Sequence, residues 1–97
     1  MARITYSERA LRDLKRLQEF MTEQAGPAVA ARAAESIIEA IDFLDRHPQV
    51  GRPAEHDLRE LVISYGKTGY LALYRFDPAA DHLRIMAIRP QREEGYH

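Results

Sequence analysis

The chemistry available to this 97-residue chain is concentrated in four arginines and a tyrosine: Arg59, Arg75, Arg89, Arg92 and Tyr96. Guanidinium groups keep their charge and grip phosphate or carboxylate with a two-pronged geometry, so converging arginines suit an RNA or an anionic protein surface. A phenol combines a ring face with a polar tip, which fits base stacking or proton transfer. Simpler roles compete with these. Strand arginines are commonly solvated or ion-paired, here with Glu60, Asp77 or Glu93, and Tyr96 lies one residue from the terminus, where side chains commonly fray. His47, His56, His82 and His97 lack the spacing of metal ligands, and His82 reads as a turn residue. Glu35, Glu39 and Asp42 read as a solvated helix face rather than a catalytic pair. Neither a glycine-rich phosphate loop nor a nucleophile elbow occurs, so no cofactor or metal is expected.

The composition narrows the setting. A chain of 97 residues is the size of one domain, and 45% hydrophobic with 30% charged residues is an ordinary globular balance, so residues 1–97 are expected to form a single unit. The net charge of -1 lacks the overall basicity of a protein held mainly by phosphates. Any nucleic-acid contact must come from a local patch. With no cysteine, disulfides and thiolate chemistry are excluded. No stretch reaches the roughly 18 apolar residues of a membrane span, and a cytoplasmic location is expected.

The elements that must position these residues follow from periodicity. Residues 2–6 alternate as a short strand. Ser7 then suits a helix cap, and Ala10, Leu14, Leu17 and Met21 recur at helical spacing. Ala25-Gly26-Pro27 stops this helix and starts another, whose stripe is Ala30, Ala33, Ala34, Ile37, Ile41 and Leu44. Arg46 and His47 are expected near its C-terminal carbonyls, with Pro48 ending it. Residues 48–57 read as a loop. The period then changes to two over 59–65, 70–76 and 82–89, separated by turn-forming residues, which predicts a three-stranded meander. The middle segment is apolar on both faces, as in a central strand.

The fold class is therefore α+β in the order β-α-α-β-β-β, an N-terminal αα-hairpin packed on an antiparallel sheet with the first strand at an edge. Antiparallel geometry brings Arg59 and Arg75 to one level. Arg89 falls at the other end of its strand, so all four arginines share one pocket only if the tail folds back.

Several short segments, in this order, resemble the RelE/ParE toxin superfamily over nearly the whole chain. They are Ser7-x-x-Ala10-x-x-Asp13-Leu14, His47-Pro48-x-x-Gly51-Arg52-Pro53, Arg59-Glu60-Leu61, Tyr74-Arg75, and Ile85-Met86-Ala87-Ile88-Arg89 followed by Gln91-Arg92-Glu93-x-Gly95-Tyr96. The resemblance implies the toxin of a type II toxin-antitoxin system, of the kind tied to plasmid stabilisation and growth inhibition. Its expected partner is a cognate antitoxin, with operator DNA reached only through that antitoxin. RelE-like members are metal-independent, ribosome-dependent mRNA endonucleases, for which Arg59, Arg75, Arg92 and Tyr96 would stabilise the phosphorane and move protons. ParE-like members bind and poison DNA gyrase without being nucleases. Loop 48–57 lacks the lysines of RelE-like toxins, and Pro90 stands where many relatives carry a histidine. The ParE-like reading is therefore favoured, with Arg59, Arg75, Arg89, Arg92 and Tyr96 as target contacts. An inactive, regulatory family member is a third reading.

Overall fold

The computed structural model describes residues 2–65 and 68–91. Strand β1 (Arg3–Tyr6) leads into helix α1 (Glu8–Ala25), and α2 (Pro27–Asp42) follows after one residue. Then come the short β2 (Arg52–Pro53) and the meander β3 (Arg59–Tyr65), β4 (Thr68–Asp77) and β5 (His82–Pro90). The cap at Ser7 forms as the sequence predicts, its Oγ accepting from the Ala10 N–H at 3.0 Å. Gly26 takes φ 94°, a left-handed value that glycine adopts without strain, so the two helices fold back on each other.

The sheet order is β1-β5-β4-β3-β2. The meander is antiparallel, but β1 runs parallel to β5, with Ile4 opposite Leu83 and Tyr6 opposite Ile85. The sheet is thus mixed rather than wholly antiparallel. The chain must leave β1 directly into α1, which lies across β5, and the Ser7 N–H extends the parallel ladder to the Ile85 carbonyl at 2.9 Å. Two further expectations are corrected. Helix α2 ends at Asp42 and continues as a 3-10 turn, Phe43–Asp45, so Arg46 and His47 lie beyond it. The loop read over 48–57 contains β2, whose Arg52 and Pro53 pair with Glu60 and Arg59.

One face of the sheet is covered by the helices. Ala10, Ile37, Ile41 and Leu44 pack there on Ile63, Tyr70, Ala72, Tyr74, Leu83, Ile85 and Ile88. Along β4 the even-numbered residues Tyr70, Ala72 and Tyr74 enter this core, which leaves Leu71, Leu73 and Arg75 on the opposite face, open at Arg75 but buried at Leu71. On β5 the alternation breaks. Leu73 pairs with Ala87 and Tyr74 with Ile85, so Met86 is an extra residue, a β-bulge. The bulge reverses parity: Leu83 and Ile85 face the helices before it, Ile88 after it. Arg84 and Arg89 therefore both reach the open face.

Helix α1 satisfies the backbone that the bulge and the short β1 leave unpaired. Ser7 Oγ donates to the Met86 carbonyl at 3.0 Å, and Asp13 Oδ2 accepts from the Ile88 N–H at 3.0 Å. Ala10, between them on the same helix face, is fully buried. The Ser7, Ala10 and Asp13 spacing is thus the footprint of α1 on β5.

Candidate functional site

Arg59 and Arg75, expected as neighbours, are adjacent in register but lie on opposite faces. Arg59 pairs with Tyr74, on the helix-covered side, whereas Arg75 pairs with Arg84 across the open face. The Arg59 guanidinium is engaged: it donates to the Gly51 carbonyl at 2.7 Å and the Gln49 carbonyl at 3.1 Å. Tyr74 completes this clamp by donating to the Pro48 carbonyl at 2.9 Å and accepting from the Gly51 N–H at 2.8 Å. Burial raises the Tyr74 phenol above the usual tyrosine value, opposed by the Gly51 hydrogen bond and the Arg59 charge. Gly51 has no room for a side chain, since a Cβ there would meet the Tyr74 hydroxyl at 2.5 Å. The segment His47-Pro48-x-x-Gly51 is therefore a docked loop, and Arg59 and Tyr74 hold it.

Arg89 pairs with Leu71, four residues back from Arg75 along β4. At about 3.4 Å per residue that separates the two arginines by roughly 13 Å along the sheet. Arg92 and Tyr96 lie outside the described residues.

Arg89 borders two clefts. One, of about 380 Å3, lies between β5 and the loop after β2, and is lined by Pro53, His56, Leu58, Glu60 and Leu73. Glu60 is held there by Arg52 at 2.6 Å, so the ion pair predicted for the site arginines is made by Arg52 instead. The other, of about 370 Å3, runs between α1 and the free outer edge of β5, with Arg9, Asp13, Arg16, Leu17, Phe20 and Pro90 around it. Phe20 is 56% exposed, an unusual setting for a phenylalanine. Pro90 has no N–H and the Ile88 N–H is taken by Asp13, so this edge offers little to a pairing strand. The arrangement can grip an anionic or apolar partner surface. It assembles no acid-base pair among the described residues.

Arg9, Arg16, Phe20 and Arg84 were not singled out in the sequence. Arg84 had a signal, since it alternates with Leu83 and Ile85. Arg9, Arg16 and Phe20 had none, because nothing local says that α1 lies beside Arg89. His82, expected in a turn, opens β5 and bonds Thr5 Oγ1 through Nε2 at 2.7 Å. No group of three His, Cys, Asp or Glu side chains able to hold a metal converges among the described residues. None of the described helices is long and apolar enough to cross a membrane.

Comparison with known proteins places this geometry. The model of the ParE toxin of the type II toxin-antitoxin system parDE matches residues 4–95. Toxin RelE3 of Caulobacter vibrioides is 35% identical, covering 96% of this chain and 98% of its own length. Toxin RelE1 of the same organism is 32% identical over 82% of this chain and 85% of its own. The chromosomal ParDE system from P. aeruginosa superposes with a TM-score of 0.80 at 22% identity, covering 93% of this chain and 96% of that one. The RelBE2 toxin-antitoxin complex from Mycobacterium tuberculosis gives 0.58 at 25% identity, covering 93% and 91%.

Proposed function

This chain belongs to the ParE toxin family of type II toxin-antitoxin systems, and from that premise we propose that it is a ParE-like growth inhibitor that acts on DNA gyrase and is neutralised by a cognate antitoxin. The observation that carries this reading is the engagement of Arg59. An arginine that donates to two loop carbonyls is not free to stabilise a phosphorane. Pro90 beside Arg89 supplies no proton, and loop 48–57 has no lysine. What remains around Arg89 is a recognition surface of charge and exposed ring. Arg75, Arg89, Arg92 and Tyr96 are assigned to target contact, and Arg59 to positioning the loop. The antitoxin assignment is supported by the relatives solved as toxin-antitoxin complexes.

The second reading, a ribosome-dependent mRNA endonuclease, is favoured by one observation: the curated relatives are named RelE toxins. Purified chain added separately to gyrase supercoiling and to ribosome-bound mRNA distinguishes the two. Loss of supercoiling with intact mRNA is expected. Codon-positioned cleavage with normal supercoiling would reverse the assignment.

A further inference from the structure

The open face carries a second basic cluster, at the end of the sheet away from Arg89. Arg75 on β4 stands directly opposite Arg84 on β5, and Arg84 is opposite Thr5 on β1, two residues from Arg3. All three arginines are exposed, and none forms a salt bridge within 4.0 Å among the described residues. Like charges directly opposed across strands weaken a sheet, and here the Arg75–Arg84 pair forms no ion pair within 4.0 Å among the described residues. Two acids flank this part of the sheet: Asp77, opposite His82, whose Oδ1 accepts from the Ala79 and Ala80 N–H groups, and Asp81, whose carbonyl accepts from the Arg3 N–H at 2.9 Å.

From this placement we propose that Arg3, Arg75 and Arg84 form a contact site for the phosphate backbone of duplex DNA. Three adjacent strands span roughly 10 Å. Duplex DNA presents one charge per about 1.7 Å of axis, so a row of that width meets several phosphates. The surroundings discriminate against other polyanions. A single-stranded nucleic acid needs aromatic platforms, and Tyr6, Tyr74 and Phe76 all lie toward the helices. An acidic protein interface needs an apolar centre, and the exposed large apolar residues Leu11, Phe20, Phe43, Val50 and Val62 all lie elsewhere. Phosphate contacts need only positioned cations, here with the Thr5 hydroxyl and His82 beside them. The site gives the chain its own hold on DNA, in addition to any route through an antitoxin.

The test is fluorescence anisotropy of the full-length chain with a labelled 20-base-pair duplex, the matching single-stranded RNA and a poly-glutamate peptide, over 50–200 mM salt. Three phosphate contacts give a log-log salt slope near -2.7, about a 40-fold loss of affinity across that range. Arg75→Gln with Arg84→Gln should lower duplex affinity at least tenfold at low salt and flatten the slope by about two contacts. Arg32→Gln, on the exposed side of α2, should change neither by more than about one contact's share. Circular dichroism melts are expected to show the double variant folded, since it removes a repulsive pair. Absence of duplex binding at 50 mM salt, tighter binding of RNA or peptide, or unchanged binding by a folded double variant would overturn the site. Gyrase is absent from this measurement, so its failure leaves the functional reading standing.

Discussion

At the residue scale the arginines divide by what their guanidinium groups already hold. Arg59 is committed to the Gln49 and Gly51 carbonyls, and Arg75, Arg84 and Arg89 point to the open face. Tyr74→Phe should therefore act through the docked loop: it strands a buried Gly51 N–H and costs about 1–3 kcal/mol in chemical denaturation, with the fold retained. Burial raises the pKa of Tyr74, and burial followed by the Asp42 charge raises that of Tyr6, both above the ordinary 10.0. Below pH 10 both tyrosines are neutral folded and unfolded, and their contribution is fully present. As pH rises past 10 the unfolded chain loses these protons first, so stability falls until the folded values are passed. Denaturation midpoints measured from pH 9 to 11.5 should show that decline, smaller in Tyr74→Phe. Arg89→Ala, which removes the residue between the two clefts, should weaken growth arrest while leaving the thermal midpoint within a few degrees, as for a surface substitution of under about 0.5 kcal/mol. Unchanged arrest would remove Arg89 from the contact surface.

At the element scale the bulge at Met86 governs the site. Without it, simple alternation would place Arg84 and Arg89 on opposite faces, and the period-two reading of 82–89 contains no warning of it. The two helices, the four longer strands and their order were legible because apolar spacing reports burial directly: Ala10 and Leu14, or Ile37 and Ile41, repeat as a packed face requires. The bulge, the parallel pairing of β1 and the loop clamp were not legible, since each depends on contacts between residues distant in sequence. Ser7 and Asp13 illustrate both sides. The cap at Ser7 was readable, but the bonds from Ser7 to Met86 and from Ile88 to Asp13 span 79 and 75 residues. Asp13→Ala should strand the Ile88 N–H and cost about 1–3 kcal/mol, and it should open the β5 edge to pairing. Size-exclusion chromatography of the variant beside the parent chain should then show concentration-dependent association stronger than the parent's. A monomeric variant of unchanged stability would show that the carboxylate does not guard this edge.

At the scale of the whole molecule, the sheet carries helices on one face, while the other is exposed at Arg75, Arg84 and Arg89 and buried at Leu71 and Ala87. Arg89, with its clefts and the exposed Phe20, marks one end of that face, and Arg3, Arg75 and Arg84 mark the other. The roughly 13 Å between the ends keeps Arg75 and Arg89 out of a common pocket. A surface of this kind suits a target that presents both protein and DNA, as the proposed gyrase reading requires. The most direct measurement is a map of nucleic-acid ends in cells arrested by this chain without its antitoxin. The account predicts DNA breaks covalently linked to gyrase, with mRNA ends as in uninduced cells. Codon-positioned mRNA cuts without gyrase-linked breaks would contradict it.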